Sequence, residues 1–369
     1  MSELVHRLRE TLERGGIRQA VLSHPETLAH LVGFEQPFED WPVANPFTAG
    51  PPLLAVTPEE ATLVVPTFYA DRAEHAPVPV TITRTHAFVG TPPDAVAELD
   101  ATLQGLPLMR GPVGIEAGTL PVRITELLRG RGADLVPVDR LVIDVRRRKR
   151  PAEVEAIRRA SRLADVVQQA VKDEARPGLT EAELAGLAQA RMYREAGRRV
   201  PAVLTVTAGA ATGTGGDVAT ARELREGDVV LTDTSPWIGG AWSDTANAVV
   251  VGEPNAEQRR IFAAVRGALE LAIGLCRPGA FAGEIDRRVR ESLAGWGPTY
   301  AHHTGHGIGA SWAEPPLLIP GSEERIEEDM VLAVEPAIYR EGWGGIRLEH
   351  VFVVAASGNE ILTAFEHTL

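Results

Sequence analysis

The stretch that decides the reading is Asp228–Gly252, DVVLTDTSPWIGGAWSDTANAVVVG. Its two ends are strand formers, Val229–Thr232 on one side and Ala248–Val251 on the other. Pro236, Gly239 and Gly240 interrupt the run between them. A hairpin turning at Ile238–Gly239 sets Asp233 opposite Asp244. Directly opposed residues of antiparallel strands hold their Cβ atoms roughly 4.5–5.5 Å apart. Two carboxylates at that separation repel, and buried without a partner they are costly. A divalent metal ion between them meets the requirement best. The competing reading is a solvated hairpin with two surface aspartates.

The pattern recurs further along. Met330–Tyr339 (MVLAVEPAIY) and Gly344–Val354 (GGIRLEHVFVV) are strand-like, and the short connection Arg340–Trp343 carries Gly342. A hairpin centred there opposes Glu335 to Glu349. Between the two hairpins lies His302–Gly309, HHTGHGIG. Two carboxylate pairs and an imidazole suit two hard-to-borderline divalent ions, Mn²⁺ first, with Co²⁺ or Zn²⁺ as alternatives. A pair of such ions activates water, which is machinery for hydrolysis.

The order Asp, Asp, His, Glu, Glu resembles that of the pita-bread metallopeptidases, the family of methionine aminopeptidase, aminopeptidase P and prolidase. The resemblance rests on DTS and SDT around Asp233 and Asp244, GHGIG around His306, VEPAIY around Glu335 and IRLEH around Glu349. The intervals agree with the proline-peptidase branch, and the N-terminal third looks like the extra domain of that branch. The implied fold is α/β (α+β): a small N-terminal creatinase-like α/β domain over 1–140, a linker over 141–152 and a pita-bread catalytic domain over 153–369. The implied metal set is Asp233 on one ion, Asp244 and Glu349 bridging, and His306 and Glu335 completing the other. Glu335 is also the expected proton acceptor from the attacking water. Arg347, two residues before Glu349 and on the same strand face, is expected to orient that carboxylate. His302 and Tyr339 match positions near the substrate in aminopeptidase P, so His302, Tyr339 and Arg347 are the expected substrate-side residues. His303 receives no role, and His350 is expected to face away from Glu349.

Composition agrees with an enzyme of this kind. A chain of 369 residues that is 44% hydrophobic can bury two cores. The net charge of −13 makes nucleic acid an unexpected partner. Cys276 is the only cysteine, so no internal disulfide forms and a reducing compartment is expected. The opening MSELVHRLRETLERGG is charged and helical in period, and no run approaches the ~20 apolar residues of a membrane span. The expectation is a soluble cytoplasmic homodimer acting on short peptides, with no membrane partner.

Along the first third, helices are expected at Leu4–Leu12, Thr27–Val32, Pro92–Leu103 and Pro121–Leu128. Strands are expected at Ile17–Leu22, Leu53–Val56, Ala61–Val65, Val78–Thr83 and Val113–Ile115. The Pro- and aromatic-rich loop Gly33–Pro52 reads as a dimer contact or a wall over the active site. The basic run Arg146–Arg150 reads as a solvated linker. Pro151 suits the first turn of a long helix that Pro177–Gly178 stops, and Thr180 with Glu183 forms a capping box. Val203–Thr207 reads as a strand. The glycine-rich Ala208–Asp217 lacks the GK[ST] of a phosphate loop. Helices follow at Glu257–Leu275 and Ala282–Leu293.

Two departures bear on function. Relatives carry a histidine upstream of the first hairpin where this chain has Gly216, and another after GHGIG where it has Ala313, although Glu314 and Pro316 remain. Those histidines help relatives grip the substrate. The leading expectation is an exopeptidase for short peptides, most simply Xaa-Pro dipeptides. The alternatives are a metallo-carboxypeptidase with a remodelled pocket and a non-enzymatic binding protein on the same scaffold.

Overall fold

The computed structural model describes residues 3–36, 50–83, 94–108, 110–216, 218–297 and 300–369. The chain divides into two compact units, Met1–Arg146 and Arg147–Leu369. Most of the loop Gly33–Pro52 lies outside the described residues.

The first unit is built on a six-stranded mixed sheet, in the order Val80–Thr83, Ala61–Pro66, Leu53–Val56, Ala20–Leu22, Gly111–Ile115 and Ala133–Pro137. Side chains alternate across such strands, and each face makes its own core. Leu54, Val56, Leu63 and Val65 pack with Leu4, Leu8 and Leu12 of the helix Glu3–Arg14. Leu53, Ala55 and Val64 pack with Leu99 and Leu103 of Ala95–Gly105 and with Ile124 and Leu128 of Val122–Gly130. Besides the short helical turns Thr67–Tyr69 and Ala70–Ala73, two longer elements were not expected. Ala133–Pro137 is an edge strand, where its proline costs no ladder bond. Asp139–Arg146 is a helix whose Val142 and Val145 are buried in the first core, so the first part of the expected linker 141–152 is structured.

The second unit opens with the helix Pro151–Glu174, with Pro151 in its first turn. The helix Glu181–Ala196 follows, and Thr180 and Glu183 cap it reciprocally at 3.2 and 2.9 Å. These two helices back a sheet of Ala202–Ala208, Val229–Ile238 and Thr245–Val250. The helices Ala256–Leu275 and Ala282–Leu293 back a five-stranded sheet that includes Gly305–Gly307, Val331–Val334 and His350–Val353. Among the described residues, no helix is long and apolar enough to cross a membrane.

The first hairpin differs from expectation in its register. Its turn is Gly239–Gly240, both at positive φ (63° and 72°), a backbone that glycine takes without steric cost at both central positions. Trp237 therefore pairs with Trp242, and Asp233 with Ala246 rather than Asp244. The slip is two residues, one full pleat, so Asp244 stays on the face of Asp233 as a diagonal neighbour. Ser235 is now its nearer companion, donating to Asp244 Oδ1 at 2.9 Å.

The second hairpin has the expected register. Val334 pairs with His350 and Ala337 with Arg347, which opposes Glu335 to Glu349. Its strands are not continuous, however. One breaks between Val334 and Ala337, the other between Arg347 and His350. At the break the backbone bonds outward: Glu335 N–H to Thr304 O at 2.9 Å, and Glu349 N–H to Ala246 O at 3.0 Å. The second of these links the two hairpins.

Candidate metal centre

Each acid of the site comes from a different point on these ladders. Asp233 lies within its strand, and Asp244 lies between Trp242 and Thr245, where the strand is interrupted. His306 lies in the short strand Gly305–Gly307, between Glu314–Leu318 and Val331–Val334 in the sheet. Glycine is required on both sides of it: a Cβ on Gly305 would lie 2.3 Å from Ala333 O, and one on Gly307 2.6 Å from Pro315 O. Glu335 and Glu349 occupy the break in the second hairpin.

The structure brings four of the five together, Asp244, His306, Glu335 and Glu349. Ligand atoms of Asp244, His306 and Glu349 all lie within 4.8 Å of one another, as do those of His303, His306 and Glu335. Asp233 falls in neither group of ligand atoms and is paired with Arg347. His306 Nε2 is 3.8 Å from both Asp244 Oδ2 and Glu335 Oε1. His306 is fully buried, and its Nδ1 lies 2.9 Å from Gly307 O, an arrangement that leaves Nε2 as the lone-pair nitrogen. Burial also lowers its pKa, which keeps the ring neutral.

The carboxylates divide into two electrostatic kinds. Burial, then the charges of Asp233 and Glu335, pushes Asp244 well above the usual range. Burial, then Asp244, Glu335 and Asp233, does the same to Glu349. Burial acts on Glu335 in the same sense, but the hydrogen bond from His303 and the Arg347 guanidinium outweigh it and hold Glu335 at about 2. His303 Nε2 sits 2.7 Å from Glu335 Oε1.

The fit to a cation is tested by atoms that have no other use. His306 Nε2 and both carboxylate oxygens of Glu349 are buried and have no hydrogen-bond partner. Buried acceptors in folded proteins are almost always satisfied. An imidazole nitrogen and carboxylate oxygens left open towards one another form a donor set for a borderline divalent ion. The residues present therefore fit a metal.

The expected role of Arg347 needs correction. Its Nη2 pairs with Asp233 Oδ2, and its Nε lies 3.8 Å from Glu335 Oε2; no hydrogen bond joins it to Glu349. Arg347 Nη1 also donates to Tyr339 Oη at 2.9 Å and to Gly215 O at 2.6 Å. Tyr339 Oη in turn meets His302 Nε2 at 3.1 Å. His302, Tyr339, Arg347 and Asp233 thus form one connected chain. His350 turns away from the cluster to Thr363 Oγ1, at 2.8 Å.

Both sequence families represented in this chain are matched. Residues 155–356 match the metallopeptidase family M24, and residues 5–148 match the creatinase/prolidase N-terminal domain. The chain belongs to metallopeptidase family M24. It is 28% identical over 375 residues to an Xaa-Pro dipeptidase of Pyrococcus horikoshii, covering 100% of this chain and 99% of that one. It is 30% identical over 286 residues to a probable dipeptidase PepE of Mycobacterium bovis, covering 77% and 72%. The structure of the prolidase from Pyrococcus horikoshii superposes with a TM-score of 0.83 at 26% identity, over 100% of both chains. The two-part α/β architecture of this chain is that of the prolidase structures, and the chain is a peptidase.

Within this family member, one of the two missing histidines has a local reason. Gly216 has φ +106°, a conformation side chains rarely adopt, and a Cβ there would meet Thr205 Oγ1 at 3.3 Å. Ala313 lies in a turn held by its neighbour Glu314, which accepts from Ser311 N–H at 2.9 Å and pairs with buried Lys149 at 2.9 Å. The donor that reaches the carboxylates from this turn is Trp312 Nε1, 2.7 Å from Asp244 Oδ2. Sequence reasoning gave His303 no role and passed over Trp312. His303 had a signal, standing three residues before His306. Trp312 had none, since its role depends on how the turn is anchored.

Proposed function

We propose that Asp233, Asp244, His306, Glu335 and Glu349 hold two divalent ions, Mn²⁺ foremost, and that the chain is an exopeptidase cleaving short peptides of the Xaa-Pro type. The observation that carries the reading is the set of buried, unpartnered lone pairs on His306 Nε2 and Glu349 beside Asp244. Bound there, the ions would supply Lewis-acid polarisation and a water acidic enough to attack an amide at neutral pH.

The chain's own residues supply the rest. Glu335, kept ionised by His303 and Arg347, is in the carboxylate form that a metal ligand requires. Arg347 fixes Asp233 on one side and Tyr339 on the other, so neither can swing freely. His302, bonded to Tyr339, presents the polar edge of the substrate side. The names of the relatives support Xaa-Pro dipeptides as the first substrates to try.

A second reading, a metallo-carboxypeptidase, is favoured by Gly216 and Ala313, where the grip expected on the substrate is absent. The experiment is release of free proline from Xaa-Pro dipeptides by the Mn²⁺-loaded protein, run with free and N-acetylated substrates. Turnover of the free dipeptide alone supports the leading reading. Turnover of the acetylated form supports the carboxypeptidase. No proline from either sinks the Xaa-Pro assignment.

A further inference from the structure

Trp312 is the one large aromatic side chain among the described residues that touches the carboxylate cluster while staying 42% exposed. The turn that carries it is rigid at its base. Glu314 is buried, with Lys149 Nζ at 2.9 Å and Ser311 N–H at 2.9 Å, and Lys149 is itself buried. The indole is fixed from the other side too. Its Nε1 lies 2.7 Å from Asp244 Oδ2 and 3.0 Å from Ser235 Oγ, and its ring centroid is 5.6 Å from that of His306.

Those bonds use the only polar atom of the indole. What remains towards solvent is hydrocarbon ring, held in place at no further conformational cost. Val203 is the cross-strand partner of Ser235 and is 47% exposed. Directly paired residues have Cβ atoms roughly 4.5–5.5 Å apart, so Val203 and Trp312 flank the same serine. Two exposed apolar groups at the edge of a buried charged cluster match the composition of a small-molecule pocket, apolar walls with a few placed polar atoms. The ring and the valine offer no hydrogen-bonding group to a polar occupant.

We propose that Trp312, with Val203 beside it, is the specificity wall of the substrate pocket and takes an apolar side chain, aliphatic, aromatic or pyrrolidine, adjoining the scissile bond. This deepens the peptidase reading and rests on it. The same indole links substrate contact to the metal set, because its N–H is bonded to Asp244.

The test uses the full chain loaded with Mn²⁺ and dipeptides in which each residue is varied in turn from Gly to Leu and Phe. Trp312→Ala is expected to erase the preference for the apolar residue over Gly by roughly tenfold or more, mainly through KM. Trp312→Phe is expected to keep it. Equal loss on every substrate, or an unchanged preference, overturns the inference. A readout without turnover stands beside it: free leucine or phenylalanine should change tryptophan emission of the wild type and leave Trp312→Phe unaffected, with glycine as control. An equal response in both proteins, or none in either, overturns the wall. A wild type that cleaves nothing overturns the peptidase reading alone, and the emission titration still decides Trp312.

Discussion

Two buried glutamates, one in each unit, show what separates a structural acid from a site acid. Glu116 of the first unit is 5% exposed and accepts three hydrogen bonds: Ser23 N–H at 2.7 Å, His24 N–H at 2.8 Å and Thr27 Oγ1 at 2.5 Å. It staples the end of one strand to the start of the helix Pro25–Val32. Glu349 of the second unit is 1% exposed and accepts none. Its neighbours are further acids and one guanidinium. Burial is the same in both, so burial does not mark the site. What marks it is the withheld donors: the fold satisfies Glu116 with two backbone N–H groups and a threonine hydroxyl and leaves Glu349 to be satisfied from outside.

The largest expected effect breaks this pair apart directly. Glu349→Gln should lower turnover by roughly 10³-fold or more, the scale of losing metal assistance worth several kcal/mol. It should also cut the bound metal measured after dialysis. Because it removes an unpaired buried charge, it should not lower the melting temperature of the metal-free chain. Glu116→Gln should behave in the opposite way. It replaces an acceptor of three hydrogen bonds with a group that brings donors of its own, so about 1–3 kcal/mol of stability should go, with turnover per folded molecule unchanged. Equal effects of the two substitutions on melting would erase the distinction.

How far the site was legible in the sequence follows from the same contrast. Asp233, Asp244, Glu335 and Glu349 were readable because strand alternation and two hairpin turns are local properties, and a pair of acids on one ladder face is conspicuous; His306 was singled out from its neighbours by the resemblance of GHGIG to the family motif. The slip of the first turn to Gly239–Gly240 did no harm, since a shift of two preserves the face. The strands of the first unit were equally readable from their apolar runs, except the edge strand Ala133–Pro137, whose composition carries little signal. The partners were not readable. Arg347 binds Asp233 rather than the nearby Glu349, and Trp312 reaches Asp244 only because Lys149 and Glu314 anchor its turn. Such choices depend on where separate elements meet, which no local pattern encodes.

A smaller effect is expected from the supports behind His302. On the helix Ala282–Leu293, Arg290 pairs with Asp286 at 2.9 Å and donates to Tyr300 O and His302 O at 2.6 and 2.7 Å. Thr304 Oγ1 bonds Asp286 at 2.6 Å, and Thr304 O takes the backbone N–H of Glu335. The helix therefore sets the segment that carries three of the site's residues. Arg290→Ala should reduce kcat by roughly tenfold to 10²-fold, the cost of about an ångström of misplacement. Arg290→Lys should recover part of the loss, and metal content should stay at the wild-type level. Loss of metal together with kcat would place Arg290 with Glu349 rather than behind it.

The smallest effect is read as degrees of melting temperature, and its sign follows from proton linkage. In the unfolded chain aspartate and glutamate titrate near ~3.9 and ~4.3. Folded and metal-free, Asp244 and Glu349 hold their protons to higher pH. Their contribution to stability is thus complete below the unfolded values and is lost as pH rises through the raised ones. Glu335 runs the other way. Held at about 2, it contributes above the unfolded value and loses that contribution as pH falls towards about 2. The metal-free chain should therefore be most stable in the weakly acidic range and lose melting temperature towards neutrality. Mn²⁺ should reverse that loss by an increment that grows with pH, because the ligands must shed protons before they bind. Calorimetry of the chelator-stripped and Mn²⁺-loaded protein from about pH 4 to about pH 9 reads both slopes. Glu349→Gln, which has no proton to lose, should flatten the metal-free slope. A metal-free melting temperature that is level across neutrality would mean that Glu349 finds donors of its own, as Glu116 does, and the division between the two acids would fall.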